Sequence, residues 1–490
     1  MQYGFVIDHN SCIGCHACTV ACKAENDVPL GRFRTSVKYV EQGRFPDIKR
    51  HFLVQRCNQC TDAPCVTICP VNALDKRPDG IVDVDRDACI GCKACMQACP
   101  YDAIYLNEDL GAVEKCHFCA HRIDNGLAPA CEVVCPVGAI ISGDLDDPSS
   151  RVAQLARQSG AKTRRPEQGT GPNVHYLGAA EVALEPGSAS RPSMYLWSDR
   201  PPEKPDAWPV SLPVVEDATV VLDQGHRIEW GWPVAAYLLT KGVAAGVAML
   251  APWSVSLGLA GPAAGWVPEV LATVFLVATF VLLVGDLARP LLFYRLLTRP
   301  NLSSWLVKGG VILSLLGLLL ATGIVARAAG GGVLAETLRW PTAALGVAAA
   351  GYTAFLFRQC KGRDLWESRL LLPHLIAQAL LCGSVCLLPW APASGGLKAI
   401  FIGASLAHAL MAVIERVRSH QTANARQGAA FLTSIRLGPL SPWREGLLIG
   451  VGLSLVLVFV APAIVFIPAL AGLYLYEHAF VRAGQLPPLS

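Results

Sequence analysis

The sequence holds 490 residues with a formal net charge of +3 and 52% hydrophobic residues. So small a charge leaves no electrostatic footprint for nucleic acid, and no such partner is expected. The 19 cysteines stand out: sixteen lie between Cys12 and Cys135, whereas Cys360, Cys382 and Cys386 sit in apolar surroundings. The opening MQYGFVIDHN has no basic stretch before an apolar core and no twin arginine. The cysteine-rich part is therefore expected to stay in a reducing compartment, which disfavours a disulfide framework.

The sixteen cysteines form four groups of four. They are Cys12, Cys15, Cys18, Cys22; Cys57, Cys60, Cys65, Cys69; Cys89, Cys92, Cys95, Cys99; and Cys116, Cys119, Cys131, Cys135. The first and third follow the C-x2-C-x2-C-x3-C run of bacterial ferredoxins, whose fourth cysteine ligates the other cluster of a pair. Proline follows the last cysteine in three groups (Pro70, Pro100, Pro136), and Lys23 in the first. Three thiolates on one tight loop can wrap a cubane, with Gly14, Ala17, Gly91 and Ala94 leaving room for it. A zinc site uses two separated pairs and has no need of a third cysteine three residues on. Four 4Fe–4S clusters are expected. The segments IDHNSCIGCHACTVAC and VDRDACIGCKACMQAC align, so the fold class expected is an α+β duplicated ferredoxin-like domain over residues 1–182, with Arg32 to Arg56 as its longest insertion.

The stretches CIGCHACTVACKAENDVPLG, CPYDAIYLNED and EKCHFCAHRIDNGLAPACEVVCP resemble the four-cluster electron-transfer subunit of molybdopterin oxidoreductases. That family includes the subunits of dimethyl sulfoxide, polysulfide and tetrathionate reductases. The resemblance implies a large molybdopterin-containing partner. It also implies four ligand sets: Cys12, Cys15, Cys18 and Cys135; Cys116, Cys119, Cys131 and Cys22; Cys57, Cys60, Cys65 and Cys99; and Cys89, Cys92, Cys95 and Cys69.

Residues 183–229 are rich in Pro and Ser and read as a linker, with Trp197 and Trp208 as candidate anchors. From Trp232 onward the chain becomes apolar. An all-α membrane bundle over residues 230–490 is expected, with about eight spans at 232–259, 267–287, 305–325, 337–357, 370–390, 397–417, 443–461 and 462–481. Loops after the second, fourth and sixth spans carry most of the positive charge, including Arg289, Arg295, Arg363 and Arg418. The opposite side offers Arg327, Arg339 and Lys398. The charge bias predicts a multi-pass protein of a bacterial or archaeal cytoplasmic membrane, with the cluster domain on the cytoplasmic side.

Ionisable residues inside spans are costly and mark function. Lys241, Asp286, Lys308, His374, Glu415, Glu477 and His478 fall near the ends facing the cluster domain, and His408 lies deeper. Lys241, Asp286 and His408 are the residues expected to hydrogen-bond or exchange protons with a quinone. His374 and His408 are expected at different depths, which argues against haem. The segments WGWPVAAYLLTKGVAAGVAML, LLVGDLARPLLFYRLLTRPNLSSWLVKGG and GYTAFLFRQCKGRDLWES resemble the NrfD-type anchors, or polysulfide reductase membrane subunits. This resemblance implies a haem-free anchor that binds menaquinone or ubiquinone from the membrane pool. The two halves together imply an electron conduit between a catalytic partner and quinone. The alternatives are a subunit of a larger energy-converting complex and a membrane anchor without redox activity.

Overall fold

The computed structural model describes residues 1–190, 215 and 217–489; Trp197 and Trp208 lie outside them. The N-terminal half is built on β1 (Tyr3–Asp8), whose Phe5, Val6 and Ile7 are fully buried. It runs between β8 (Ile140–Asp144), antiparallel, and β9 (Val174–Leu177), parallel. The strand that starts the domain is thereby tied to the two that end it. The insertion forms a second sheet from β2 (Thr35–Gln42) and β3 (Lys49–Arg56). Its third strand is β10 (Ala218–Leu222), so the last part of the expected linker belongs to this sheet. Two short hairpins, β4 (Leu74–Lys76) with β5 (Val82–Val84) and β6 (Ile104–Asn107) with β7 (Ala112–Lys115), brace the remaining cysteine loops.

The duplication is visible in the backbone. Gly14 and Gly91 have φ of 70° and 69°, and His16 and Lys93 both have φ of 61°. The Cys12 amide donates to the Asp8 carbonyl at 3.1 Å and the Cys89 amide to that of Asp85 at 3.2 Å. Both glycines need the left-handed region, which a side chain disfavours. They differ in what covers them: a Cβ on Gly14 would stand 2.4 Å from Phe52 of the insertion, and one on Gly91 2.5 Å from Ala288 of the membrane half.

After α1 (Ala17–Glu25) in the cluster domain, the membrane half contains α2 (Trp232–Leu250), α3 (Gly261–Gly285), α4 (Trp305–Ala328), α5 (Gly332–Arg358), α6 (Leu371–Leu387) and α7 (Gly395–Val417). There follow a shorter α8 (Ala423–Ser434), α9 (Pro442–Val460) and α10 (Phe466–Gln485). Seven of these, α2 to α7 and α9, are long and apolar enough to cross a membrane. The expected eighth span corresponds to the helix α10, four residues later than anticipated, but its Glu477, His478 and Arg482 leave it too polar to count as a span, so the described residues hold seven candidates and not eight. It packs against α2, α6, α8 and α9 and returns the chain to the cluster domain. Residues 448–453 of α9 form a π-helical turn, where Gly450 meets Gly472 of α10.

Candidate functional site: cysteine loops above a membrane cavity

Each cysteine group sits on a loop that ends in a short helix, as in Pro64–Ile68 and Ala94–Ala98. The fourth cysteine of each motif is carried away from its own loop. Burial pushes the Cys22 thiol up to about 12, and Cys116, Cys131 and Cys119 add to it. Burial likewise raises Cys12, beside Cys135 and Cys15, and raises Cys18 to about 11, beside Cys131 and Cys12. Burial also raises Cys65, which stands near Cys57, Cys99 and Cys60. Cys92 is raised to about 12 by burial and then by Cys69 and Cys89, the same residues that neighbour Cys95.

These thiols meet donors suited to thiolates. The amides of Ala73, Gly91 and Ala139 point at the sulfurs of Cys69, Cys89 and Cys135 at 3.3–3.4 Å. Asn26 Nδ2 reaches the Cys22 and Cys119 sulfurs at 3.8 and 3.9 Å. Two buried cations lie among them. Arg56 Nη1 donates to Cys131 Sγ at 3.3 Å, and the negative field of Cys131, Cys116 and Cys18 outweighs the loss of solvation to raise its pKa. For Lys115, burial lowers its pKa, but Cys57, Cys65 and Cys116 override this; its ammonium donates to the carbonyls of Val82 and Cys116. Cations so placed offset the cost of burying many thiolates. Sequence reasoning passed over both, although each directly precedes the first cysteine of its group.

Among the described residues, no three His, Cys, Asp or Glu converge on a point where one metal ion would be held. Cys69, Cys89, Cys92 and Cys95 instead line a common cavity, together with Ile90, Lys93 and Val113. All-thiolate sets spread around such a space, with amide donors to sulfur, fit 4Fe–4S clusters.

This cavity lies on the membrane half. Asn301 Nδ2 donates to the Cys69 carbonyl at 2.8 Å, Arg289 Nη1 to that of Cys89 at 3.3 Å, and Trp230 Nε1 to that of Cys92 at 3.4 Å. At the other extreme Cys15 is exposed, and Ile13, Val20 and Val133 are 57%, 65% and 65% exposed.

The three expected quinone-pocket residues are separated. Lys241 lines a small cavity with Leu238, Gly242, Leu375, Gln378 and Glu477. Its ammonium donates to Thr353 Oγ1 at 2.6 Å. Asp286 caps α3 and pairs with Lys93 at 3.6 Å, between two cysteines of the third motif. His408 meets His374 directly, Nε2 to Nδ1 at 2.7 Å, so the two share one depth, contrary to expectation. At the far end, two of the three cations that the sequence places there, Arg327 and Arg339, are paired. Buried Glu269 accepts from Arg327 at 2.8 Å and Arg339 at 3.0 Å, and both arginines bind Glu336. The network is neutral and joins α3, α4 and α5 as a clasp.

Comparison with known proteins agrees with this division. Residues 48–145 match the 4Fe-4S dicluster domain family, and residues 220–393 match the polysulphide reductase NrfD family. A tetrathionate reductase subunit of Salmonella typhimurium is 43% identical over 202 residues, which cover 40% of this chain and 80% of that protein. A putative dimethyl sulfoxide reductase iron-sulfur subunit of Halobacterium salinarum is 40% identical, over 36% of this chain and 79% of that protein. The arsenate respiratory reductase iron-sulfur subunit of Shewanella sp. strain ANA-3 is 37% identical, over 36% and 96%. The chain belongs to the family of iron–sulfur electron-transfer subunits of respiratory reductases, here fused in one polypeptide to an NrfD-type membrane anchor.

Proposed function

We propose that this chain joins a molybdopterin-containing catalytic partner to the membrane quinone pool, with four 4Fe–4S clusters held by the sets led by Cys12, Cys57, Cys89 and Cys116. Bound there, the clusters would supply a one-electron path through the domain. The sets are Cys12, Cys15, Cys18 and Cys135; Cys22, Cys116, Cys119 and Cys131; Cys57, Cys60, Cys65 and Cys99; and Cys69, Cys89, Cys92 and Cys95. The neighbourhoods around Cys22, Cys65 and Cys95 support this assignment. The observation that carries the reading is the seat of the Cys69, Cys89, Cys92 and Cys95 loops on the membrane half, through Asn301, Arg289 and Trp230.

The membrane half contributes the Lys241 cavity. An ammonium, an amide and a carboxyl from Lys241, Gln378 and Glu477 stand on an otherwise apolar wall. Such a wall suits a flat, apolar ring with two carbonyl oxygens. The catalytic partner would cover the apolar rim around exposed Cys15. The excess of Arg and Lys in the loops that meet this domain supports its placement on the cytoplasmic side. The test is to isolate the native complex in mild detergent, assay molybdenum and tungsten, and add menadiol. Bleaching of the cluster absorbance together with molybdenum in a large partner is the expected result. Iron alone, without bleaching by menadiol, refutes the conduit and favours the plain anchor.

A further inference from the structure

Beside the Lys241 cavity lies a second buried polar group that the reading above leaves without a task. His374 of α6 and His408 of α7 share a hydrogen bond of 2.7 Å. Tyr476 of α10 packs edge-on to His408, with ring centroids 4.7 Å apart, and lies 5.4 Å from His374. Its hydroxyl is buried without a hydrogen-bond partner, and so is that of Ser405, one turn before His408. Two orphaned hydroxyls flanking a histidine pair are a site for internal water, because a buried polar atom left unpaired is costly.

The group connects two places. Leu375 and Glu477, the chain neighbours of His374 and Tyr476, both line the Lys241 cavity. One face of α7 then carries His408, Ala412 and Glu415, all buried. Glu415 stands at the end nearer the cluster domain, where it accepts from Ser368 Oγ at 2.7 Å and Arg418 Nη2 at 2.8 Å. Its carbonyl meets His420 Nε2 at 2.9 Å. On the cavity side Lys241 of α2 stands over the Tyr352 ring of α5 at 4.9 Å, and His478 of α10 lies against Tyr474. Arg426 of α8 binds the His420 and Gln421 carbonyls, and Arg444 and Glu445 of α9 pair with each other.

We infer that Glu415, Tyr476, His408 and His374, bridged by internal water, form a proton relay between the cluster-domain face and the Lys241–Glu477 cavity. The inference rests on the reading of that cavity as a quinone site. When a quinol there is oxidised, its two O–H bonds break, and two oxidised clusters held by the cysteine sets would take up the two electrons, one each. The two protons pass to groups on the cavity wall and leave by the relay; reduction of a quinone reverses every step. Protons are then exchanged on the face that also carries the cluster domain, so the reaction moves no proton across the membrane. The histidine pair suits this because each ring can accept a proton on one nitrogen while releasing one from the other.

The experiment uses the full chain, loaded with its clusters, in proteoliposomes of known orientation, with menadiol as donor and menadione as binding probe. Menadione affinity is read from tryptophan fluorescence, cluster reduction from bleaching, and proton release from pH dyes on either side. In the wild type, protons should appear on the cluster-domain side. His408→Gln and Glu415→Gln should keep menadione affinity and iron content, yet slow bleaching about 10²-fold, with a changed pH profile and an unaltered KM. Glu415→Asp should recover most of the rate. Variants as fast as the wild type, or protons released on the far side, overturn the relay and leave the cavity reading standing. A wild-type chain that neither binds menadione nor bleaches with menadiol overturns the cavity reading, and the relay with it.

Discussion

At the scale of single residues, the fourth cysteine of each motif is the most informative side chain. Cys22 belongs by sequence to the first loop but stands with Cys116, Cys119 and Cys131. Its replacement by serine should therefore remove one cluster, about four irons, and electron paramagnetic resonance should show the Cys12 cluster retained. His9 makes a second case. Its Nε2 is buried without a partner, and burial lowers its pKa to about 4. The folded domain thus holds this ring neutral, while the unfolded chain protonates it near its ordinary value of 6.5. Between those two values the unfolded state binds more protons, so stability is complete above the upper one and falls as pH drops through the window. The loss should reach about 3 kcal/mol at most. Thermal unfolding of the cluster domain should show this acid sensitivity in the wild type and much less of it in His9→Gln. What cysteine spacing could not reveal is how buried thiolates are compensated. The spacing fixes which loops wrap a cluster, but Arg56 and Lys115 act through space across loops, and nothing in their own periodicity marks them.

At the scale of elements, apolar runs disclosed the helices because lipid demands about 20 residues of them. They disclosed neither depth nor direction of the polar side chains: Asp286 caps α3 and turns toward Lys93, whereas Lys241 is the tenth residue of α2 and turns into the cavity. Composition also hid α8, whose ANARQGAAFLTS is too short and mixed to read as a membrane element, and β10, a five-residue strand behind a Pro-rich stretch. The crossing of α2 and α6 explains two glycines that composition left as a generality. A Cβ on Gly246 would stand 1.7 Å from the Ala379 carbonyl oxygen, and one on Gly383 2.3 Å from the Gly246 carbonyl carbon. The two backbones touch, as small residues permit in membrane bundles. Gly246→Val should force them apart, costing about 1–3 kcal/mol, and should widen the cavity that Gly242, Lys241 and Gln378 line. A lower unfolding midpoint in detergent and a weaker menadione affinity are the expected pair of effects. Gly310→Ala, where a Cβ meets nothing within 4 Å, should change neither.

At the scale of the molecule, fusion alone would tether the two halves without fixing their distance; a buried polar seam does that. Its keystone is Gln485 at the end of α10, fully buried. Its Oε1 accepts from Gln97 Nε2 at 2.9 Å, Trp230 N at 3.0 Å and Glu229 N at 3.2 Å. Its amide donates to the Trp230 carbonyl at 2.8 Å, and its own carbonyl accepts from Arg363 Nη1 at 3.1 Å. Arg363 Nε reaches Gln97 Oε1 at 2.8 Å, and Asp102 holds His226 against the same carbonyl. Gln97 lies between Cys95 and Cys99, so the seam grips the third cysteine motif directly. Trp230, Phe357 and Trp366 stack behind it, the last pair at 4.6 Å. Gln485→Leu keeps the volume but strands the side chain of Gln97 and the amides of Glu229 and Trp230. Each buried group left unpaired costs about 1–3 kcal/mol. The seam should then loosen locally while both halves stay folded, because Gln97 of the cluster domain loses its Gln485 partner whereas the contacts of Asn301, Arg289 and Trp230 remain. Limited proteolysis should open new cleavage sites near residues 223–230, and menadiol should bleach the clusters more slowly with menadione affinity unchanged. Unchanged proteolysis and bleaching would mean that the apolar stack alone holds the halves in register. Loss of menadione binding would mean instead that α10 also shapes the cavity through the Gln485 end, making the seam part of the site itself.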